Sequence, residues 1–183
     1  MSFENPRLNR KIKAVIEGHM IKFKLVTDIC DIQKLSVLAS AIWHEAFAEI
    51  LSPEQIDYMI EKFQSFGAIK TAIDKDNYEY FFISDETGIA GYTGIQEADS
   101  KLFLSKLYIA KEKRGQKLAS KAFDFIETLA RKRNLKSIWL TVNRNNTHAI
   151  EVYKSKGFSI IRTQITDIGN GFVMDDFVFE KNL

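Results

Sequence analysis

The sequence predicts one mixed α/β domain of about seven strands and four helices, and three observations carry that reading. Apolar patterns of period two and of period 3.6 follow one another as a strand, two helices, three strands, and then strand–helix units closed by a hairpin. A length of 183 residues suits one domain with a sizeable core, and 45% apolar against 27% charged residues is a soluble globular balance. No repeat and no low-complexity linker interrupts the order.

Residues 1–19 stand apart. They are polar, hold one of the two prolines, and run into Gly18-His19-Met20, a sequence frequent at cloning-vector junctions. They read as a vector-derived leader, with a native N-terminal arm as the alternative, and residues 20–183 as the domain. Four of the 26 basic and two of the 24 acidic residues fall in that leader, so the net charge of +2 belongs to it and the rest is neutral. A neutral domain leaves no electrostatic footprint for nucleic acid. No apolar run reaches bilayer length and no secretory signal is visible. A lone cysteine, Cys30, excludes a disulfide framework and a clustered thiolate metal site. The expected setting is reduced and cytoplasmic, with no membrane or metal and with Cys30 in the core.

Each element has a local cause. Residues 21–26 (IKFKLV) alternate apolar and basic, as a half-buried strand does. Thr27 or Asp28 caps a helix over 32–50, where Leu35, Leu38, Ala39, Ile42, Ala46 and Phe47 form one stripe. Ser52-Pro53-Glu54-Gln55 combines an N-cap serine, a first-turn proline and a capping-box glutamine ahead of Ile56, Met59, Ile60 and Phe63. Residues 78–84 (YEYFFIS) are strand by aromatic and β-branched content, and Asp85-Glu86-Thr87-Gly88 turns the chain into 89–96. A strand at 102–109, a helix at about 116–132, a strand at 137–142 and a short helix at 147–155 follow. Strands 158–165 and 172–180 close the chain around the turn at 167–171.

The chemistry concentrates in two segments. In the first, the strand at 102–109 ends in a charged loop, Lys111-Glu112-Lys113-Arg114-Gly115-Gln116-Lys117, and a helix striped with Leu118, Ala122, Ile126 and Leu129 begins at once. First-turn N–H groups lack partners inside a helix and sit at the positive end of its dipole, so a phosphorylated ligand finds donors and counter-charge together. The second segment is Asn146-Thr147-His148-Ala149-Ile150-Glu151-Val152-Tyr153-Lys154-Ser155-Lys156-Gly157-Phe158.

Together these segments resemble the GNAT superfamily of acyl-CoA-dependent N-acetyltransferases. Arg114-x-x-Lys117-x-Ala119 is similar to that family's pyrophosphate loop, and Asn146-x-x-Ala149, Tyr153 and Gly157-Phe158 to its second motif. The resemblance implies a central mixed, mostly antiparallel sheet that splays beside the strand preceding the loop, with acetyl-CoA as co-substrate. It implies that the backbone of Leu107, Tyr108 and Ile109 pairs with pantetheine. The N–H groups of Arg114, Gly115, Gln116, Lys117, Leu118, Ala119 and Ser120 would wrap the pyrophosphate. Asn146 and Ala149 would border the cofactor arm, with Tyr153 protonating the departing thiolate. Lys117 stands where the family has glycine, and the expectation is helical backbone there, at which lysine costs little.

The same resemblance implies acetyl transfer to a primary amine of a small molecule or peptide by direct attack in a ternary complex. No base stands out: Glu97, Glu45 and His44 qualify by chemistry and rough position alone. Trp43, Tyr58 and Tyr92 are candidates for lining the acceptor pocket. Residues 169–176 are similar to a tail found among bacterial small-molecule acetyltransferases, polyamine-acetylating ones included, where Asp175 and Asp176 would attract a cationic amine or serve only as charges of an edge hairpin. Exposed C-terminal edge strands offer a surface for a homodimer. The rival readings are a CoA-binding module of the same fold with little or no catalysis, and a protein- or nucleic-acid-binding α/β domain using Arg131-Lys132-Arg133.

Overall fold

A computed structural model describes residues 11–16 and 19–183, with side chains described from residue 21 onward. Its strands are β1 (Lys11–Ile16), β2 (His19–Leu25), β3 (Tyr78–Asp85), β4 (Gly88–Ala98), β5 (Lys101–Ile109), β6 (Ser137–Asn143), β7 (Ser159–Gly169) and β8 (Phe172–Asn182). Its helices are α1 (Ile29–Phe47), α2 (Pro53–Gln64), α3 (Phe66–Lys75), α4 (Leu118–Lys132) and α5 (Thr147–Ser155), with a 3₁₀ turn at Lys111–Lys113. One sheet runs β1-β2-β3-β4-β5-β6-β8-β7. Every neighbouring pair is antiparallel except β5 and β6. The expected fold class holds, and its seven strands are β2–β8. Strand β1 lies within the segment read as a leader and pairs with β2 from Lys11↔Lys24 to Ile16↔His19.

Helix caps explain where the N-terminal helices begin. The Asp28 carboxylate accepts from the Asp31 N–H (2.7 Å), Ser52 Oγ from Gln55 N–H (3.2 Å), and Ser65 Oγ from Ala68 N–H (3.3 Å). The third of these starts α3, which adds one helix to the expected set. Its stretch reads as polar, yet Ile69 is fully buried and Phe66, Ala72 and Ile73 pack beside it. Cys30 is exposed rather than in the core, because it sits in the first turn of α1 ahead of the buried stripe that starts at Asp31 and Ile32.

The sheet is covered on both faces, which is why β3 reads as an unbroken aromatic run. Tyr80 and Phe82 face α1 and α3, while Phe81 and Ile83 face α4. On the α4 side Phe125 stacks on Phe23 at 4.1 Å between ring centroids, and Ile126 is fully buried. Truncating such a residue to alanine costs about 2–5 kcal/mol. A third cluster joins Trp43 and Phe47 of α1, Ile56 and Met59 of α2, and Ile168 of β7. No described helix is long and apolar enough to cross a membrane.

β8 is not an edge strand. It lies between β6 (Asn143↔Asp176) and β7 (Gln164↔Asp176), so Asp175 and Asp176 belong to the interior of the sheet and β7 is the outer strand.

Candidate active site

The site exists because β5 and β6 part. Their parallel pairing covers only Lys101↔Ser137, Leu102↔Ile138 and Phe103↔Trp139. At the fork the rings of Phe103 and Trp139 stack at 4.1 Å. Beyond it β5 stays with β4, past an irregularity where Gly94 pairs Lys106 and Ile95 pairs Leu104, leaving Ser105 as the extra residue of a bulge. Strand β6 stays with β8. The gap is a cleft of about 1400 Å³.

Leu107, Tyr108 and Ile109 line one wall of it. Gly91 of β4 lets β5 lie this close, since a Cβ there would fall 2.2 Å from the Tyr108 carbonyl oxygen. Two carbonyls of this wall are already engaged: Thr93 Oγ1 donates to Lys106 (2.7 Å) and Arg114 Nε to Ile109 (3.1 Å).

The loop after β5 reaches α4 through Gly115 (φ +79°) and Lys117 (φ +59°, ψ 16°). The expectation of helical backbone at Lys117 is therefore wrong. The residue is the N-cap of α4 in the left-handed region, because the chain must reverse there to enter the helix. Its side chain makes no capping bond, so the first N–H groups of α4 keep no side-chain acceptor at the cap. Arg114, Gly115, Lys117, Leu118 and Ala119 line the cleft, whereas Gln116 and Ser120 do not. Ser120 Oγ instead accepts from Lys156. Lys113 bonds Asp85 (2.7 Å) and Thr87, and these contacts hold the Asp85 carboxyl well below its usual range.

The opposite wall comes from α5. Asn146 caps that helix through Oδ1 to the Ala149 N–H (3.1 Å). Asn146, Ala149 and Tyr153 all line the cleft. The ring of Tyr153 is packed by Phe123, Phe158 and Phe179 at 5.9–6.1 Å, and burial pushes its phenol up to about 12.

The far arm is apolar, with Trp43 and Phe47 of α1, Met59 of α2, and Ile168 and Met174 of β7 and β8. Trp43 Nε1 donates to Tyr92 Oη (3.1 Å), which donates to Gln64 Oε1 (3.4 Å). Tyr92 is fully buried and forms no part of the wall, so it is a core residue and not an acceptor contact. Tyr58 is also off the wall. Its hydroxyl donates to the Ile168 carbonyl (2.6 Å) and ties α2 to β7.

Of the three base candidates, Glu97 and His44 lie outside the cleft, bonded to Arg133 (3.5 Å) and Asp57 (2.8 Å). Glu45 lines it but is paired with Arg114. Asp176 differs from all three. It is 5% exposed, lines the cleft, and its Oδ1 has no hydrogen-bond partner among the described residues. Burial and then the neighbouring Asp175 raise its carboxyl to about 6. Only alternation along β8 marks it in the sequence, placing Met174 and Asp176 on one face.

A family model described as acetyltransferase (GNAT) family matches residues 39–158, more than half of the chain. An uncharacterized N-acetyltransferase from the pepI 3' region of Lactobacillus delbrueckii subsp. lactis is 21% identical over 161 residues, covering 84% of this chain and 92% of that protein. The PaiA N-acetyltransferase of Thermoplasma acidophilum, solved with coenzyme A, superposes with a TM-score of 0.73 at 21% identity, covering 89% of this chain and 99% of that one. A GCN5-related N-acetyltransferase structure from Rhodopseudomonas palustris gives 0.73 at 15% identity over 88% and 94% of the two chains. With a family model across strands β3 to β6, the loop and α5, this chain belongs to the GNAT family of acetyltransferases, enzymes that take acetyl-CoA as co-substrate.

Proposed function

We propose that the protein moves the acetyl group of acetyl-CoA to a primary amine of a small molecule or peptide, by direct attack within a ternary complex. The fork between β5 and β6 carries this reading. It opens a wall of strand backbone at residues 107–109 to a cleft whose one end holds the uncapped start of α4 and whose other side holds a phenol. The pyrophosphate would take the N–H groups from Gly115 to Ala119, where donors and helix dipole act together. Pantetheine would lie along β5, with Asn146 and Ala149 opposite.

The amine attacks the thioester carbonyl, the C–N bond forms and the carbonyl becomes a tetrahedral oxyanion. Its collapse breaks the C–S bond, and Tyr153 gives its proton to the leaving sulfur. The proton that nitrogen loses on attack restores the phenol. A phenol held near 12 stays protonated at neutral pH, as a donor must. The same apolar surroundings raise the basicity of the sulfur, which narrows the gap between the two. The small-molecule and polyamine reading draws support from Asp176 of β8, which lines the cleft beside an apolar arm.

Two measurements test this. Acetyl-CoA is expected to raise the melting temperature, and free CoA thiol is expected to appear with at least one amine of a panel of alkylamines, polyamines and peptides. Stabilisation by acetyl-CoA with no thiol release from any amine would leave a CoA-binding module. No stabilisation at all would favour a binding domain of another kind.

A further inference from the structure

We infer that Asp176 receives the acceptor's ammonium in the cleft and takes its first proton, so that it selects cationic amines lacking a carboxylate beside the amine. The inference rests on the acetyltransferase reading and supplies the base that the sequence leaves unassigned. Three observations of placement carry it. Asp176 is almost wholly buried yet lines the cleft, so its charge is directed at whatever enters. Among the described residues its Oδ1 has no donor, and a buried acceptor without a partner is costly unless a ligand supplies one. The wall beside it, Trp43, Phe47, Met59 and Met174, is apolar and suits a carbon skeleton next to a cationic head.

Charged and titratable groups stand near Asp176 on its own strand and along the cleft. Its strand neighbour Asp175 is paired with Arg144 (2.8 Å), which also lies over the Phe177 ring. Tyr108 of β5 lines the same cleft, and burial first, then the nearby Tyr153 and Asp176, raises its phenol, so it stays a neutral neighbour. His148 of α5 lines the same cleft. The raised carboxyl of Asp176 makes it a stronger base than an ordinary aspartate.

Protons balance as follows. The substrate R–NH₃⁺ gives one proton to the carboxylate, which releases it to water at the cleft mouth, and R–NH₂ then attacks. The second nitrogen proton restores Tyr153 after thiolate departure. The net products are R–NH–acetyl, CoA–SH and one H⁺.

The test compares wild type, Asp176→Asn and Asp175→Asn with phenethylamine, spermidine and glycine as acceptors, reading kcat/KM from pH 5 to 9 and acetyl-CoA affinity by calorimetry. For wild type, kcat/KM for the two amines is expected to exceed that for glycine by at least about tenfold, from like-charge exclusion of the carboxylate. It is also expected to fall more steeply below about pH 6. Asp176→Asn should bind acetyl-CoA normally, lose about 10²–10⁴-fold in kcat/KM, and lose the steepening. Asp175→Asn should keep the steepening and move it to lower pH, which tests the idea even if Asp176→Asn fails to fold. A wild type that turns over these amines with no steepening, or whose steepening survives in Asp176→Asn, overturns this inference and leaves the acetyltransferase reading intact. A wild type that binds acetyl-CoA and acetylates no amine overturns both.

Discussion

Arg114 of the phosphate loop and Glu45 of α1 form a two-pronged ion pair, Nη1 to Oε1 at 3.1 Å and Nη2 to Oε2 at 2.5 Å, while Arg114 Nε holds the Ile109 carbonyl. The guanidinium is thus spent on joining loop, strand and helix. Removing it leaves Glu45 unpaired on a wall that should receive phosphates. Arg114→Ala is expected to weaken acetyl-CoA binding, and adding Glu45→Ala should restore part of the loss. The pair is partly exposed, so its coupling in a double-mutant cycle should be about 0.2–1 kcal/mol. Simple additivity of the two changes would mean that the pair does not act on the loop.

Lys117 holds a left-handed backbone at the entry to α4. That conformation costs an L-residue roughly 1–2 kcal/mol, and glycine in its place gives back about 0.4–1 kcal/mol through a freer unfolded chain. Lys117→Gly should therefore stabilise the protein by roughly 0.5–1 kcal/mol in urea denaturation. It should also weaken acetyl-CoA binding at low salt, with a difference that shrinks toward ~1 M salt as charges are screened. Unchanged affinity at low salt would remove the Lys117 charge from phosphate binding.

Tyr153→Phe should leave acetyl-CoA affinity intact and lower turnover by about 10²–10⁴-fold, the range for a lost general acid. The ring packing against Phe123, Phe158 and Phe179 survives the change, so the melting temperature should hold. Full turnover in that variant would take the phenol out of the mechanism.

Tyr92 gives the opposite pattern. Its hydroxyl is the acceptor for a buried Trp43 N–H, and Tyr92→Phe orphans that donor. A loss of about 1–3 kcal/mol in stability is expected, with catalysis nearly unchanged. A large rise in KM for the amine at normal stability would restore Tyr92 to the acceptor pocket.

What could be read from the chain divides along a physical line. Helix caps and apolar periods are local, so α1, α2, α4 and the β3–β4–β5 meander were legible, and so was the order of loop and helix around residues 107–120. α3 was not, because it is short and, of its apolar residues Phe66, Ile69, Ala72 and Ile73, Ile69 alone is fully buried. Lys117 misled because a side chain does not announce its φ. Tyr92 and Asp176 were ambiguous for another reason. Which face of a strand is sealed depends on what the rest of the chain lays over it, and that is non-local information. The sheet order put β8 inside β7, turning an apparent edge carboxylate into a buried one.

That burial has a cost that pH exposes. The Asp176 carboxyl is near 6 in the folded protein and near 3.8 when solvated. Well below pH 3.8 it is neutral in both states and contributes no penalty. Between those values the folded state holds the proton that the unfolded state has lost, so stability from this group falls as pH rises. Well above pH 6 both states are ionised and the penalty is constant. Asp176→Asn carries no charge at any pH. Its melting temperature should approach that of wild type near about pH 3 and exceed it at pH 8, by roughly 2–4 °C for each kcal/mol of penalty removed. The expected gain accompanies the expected loss of turnover, the pattern of a group kept for chemistry at the expense of the fold. A variant less stable than wild type at pH 8 would mean that the carboxylate is already satisfied in the folded protein, and would remove the vacancy that the ammonium is proposed to fill.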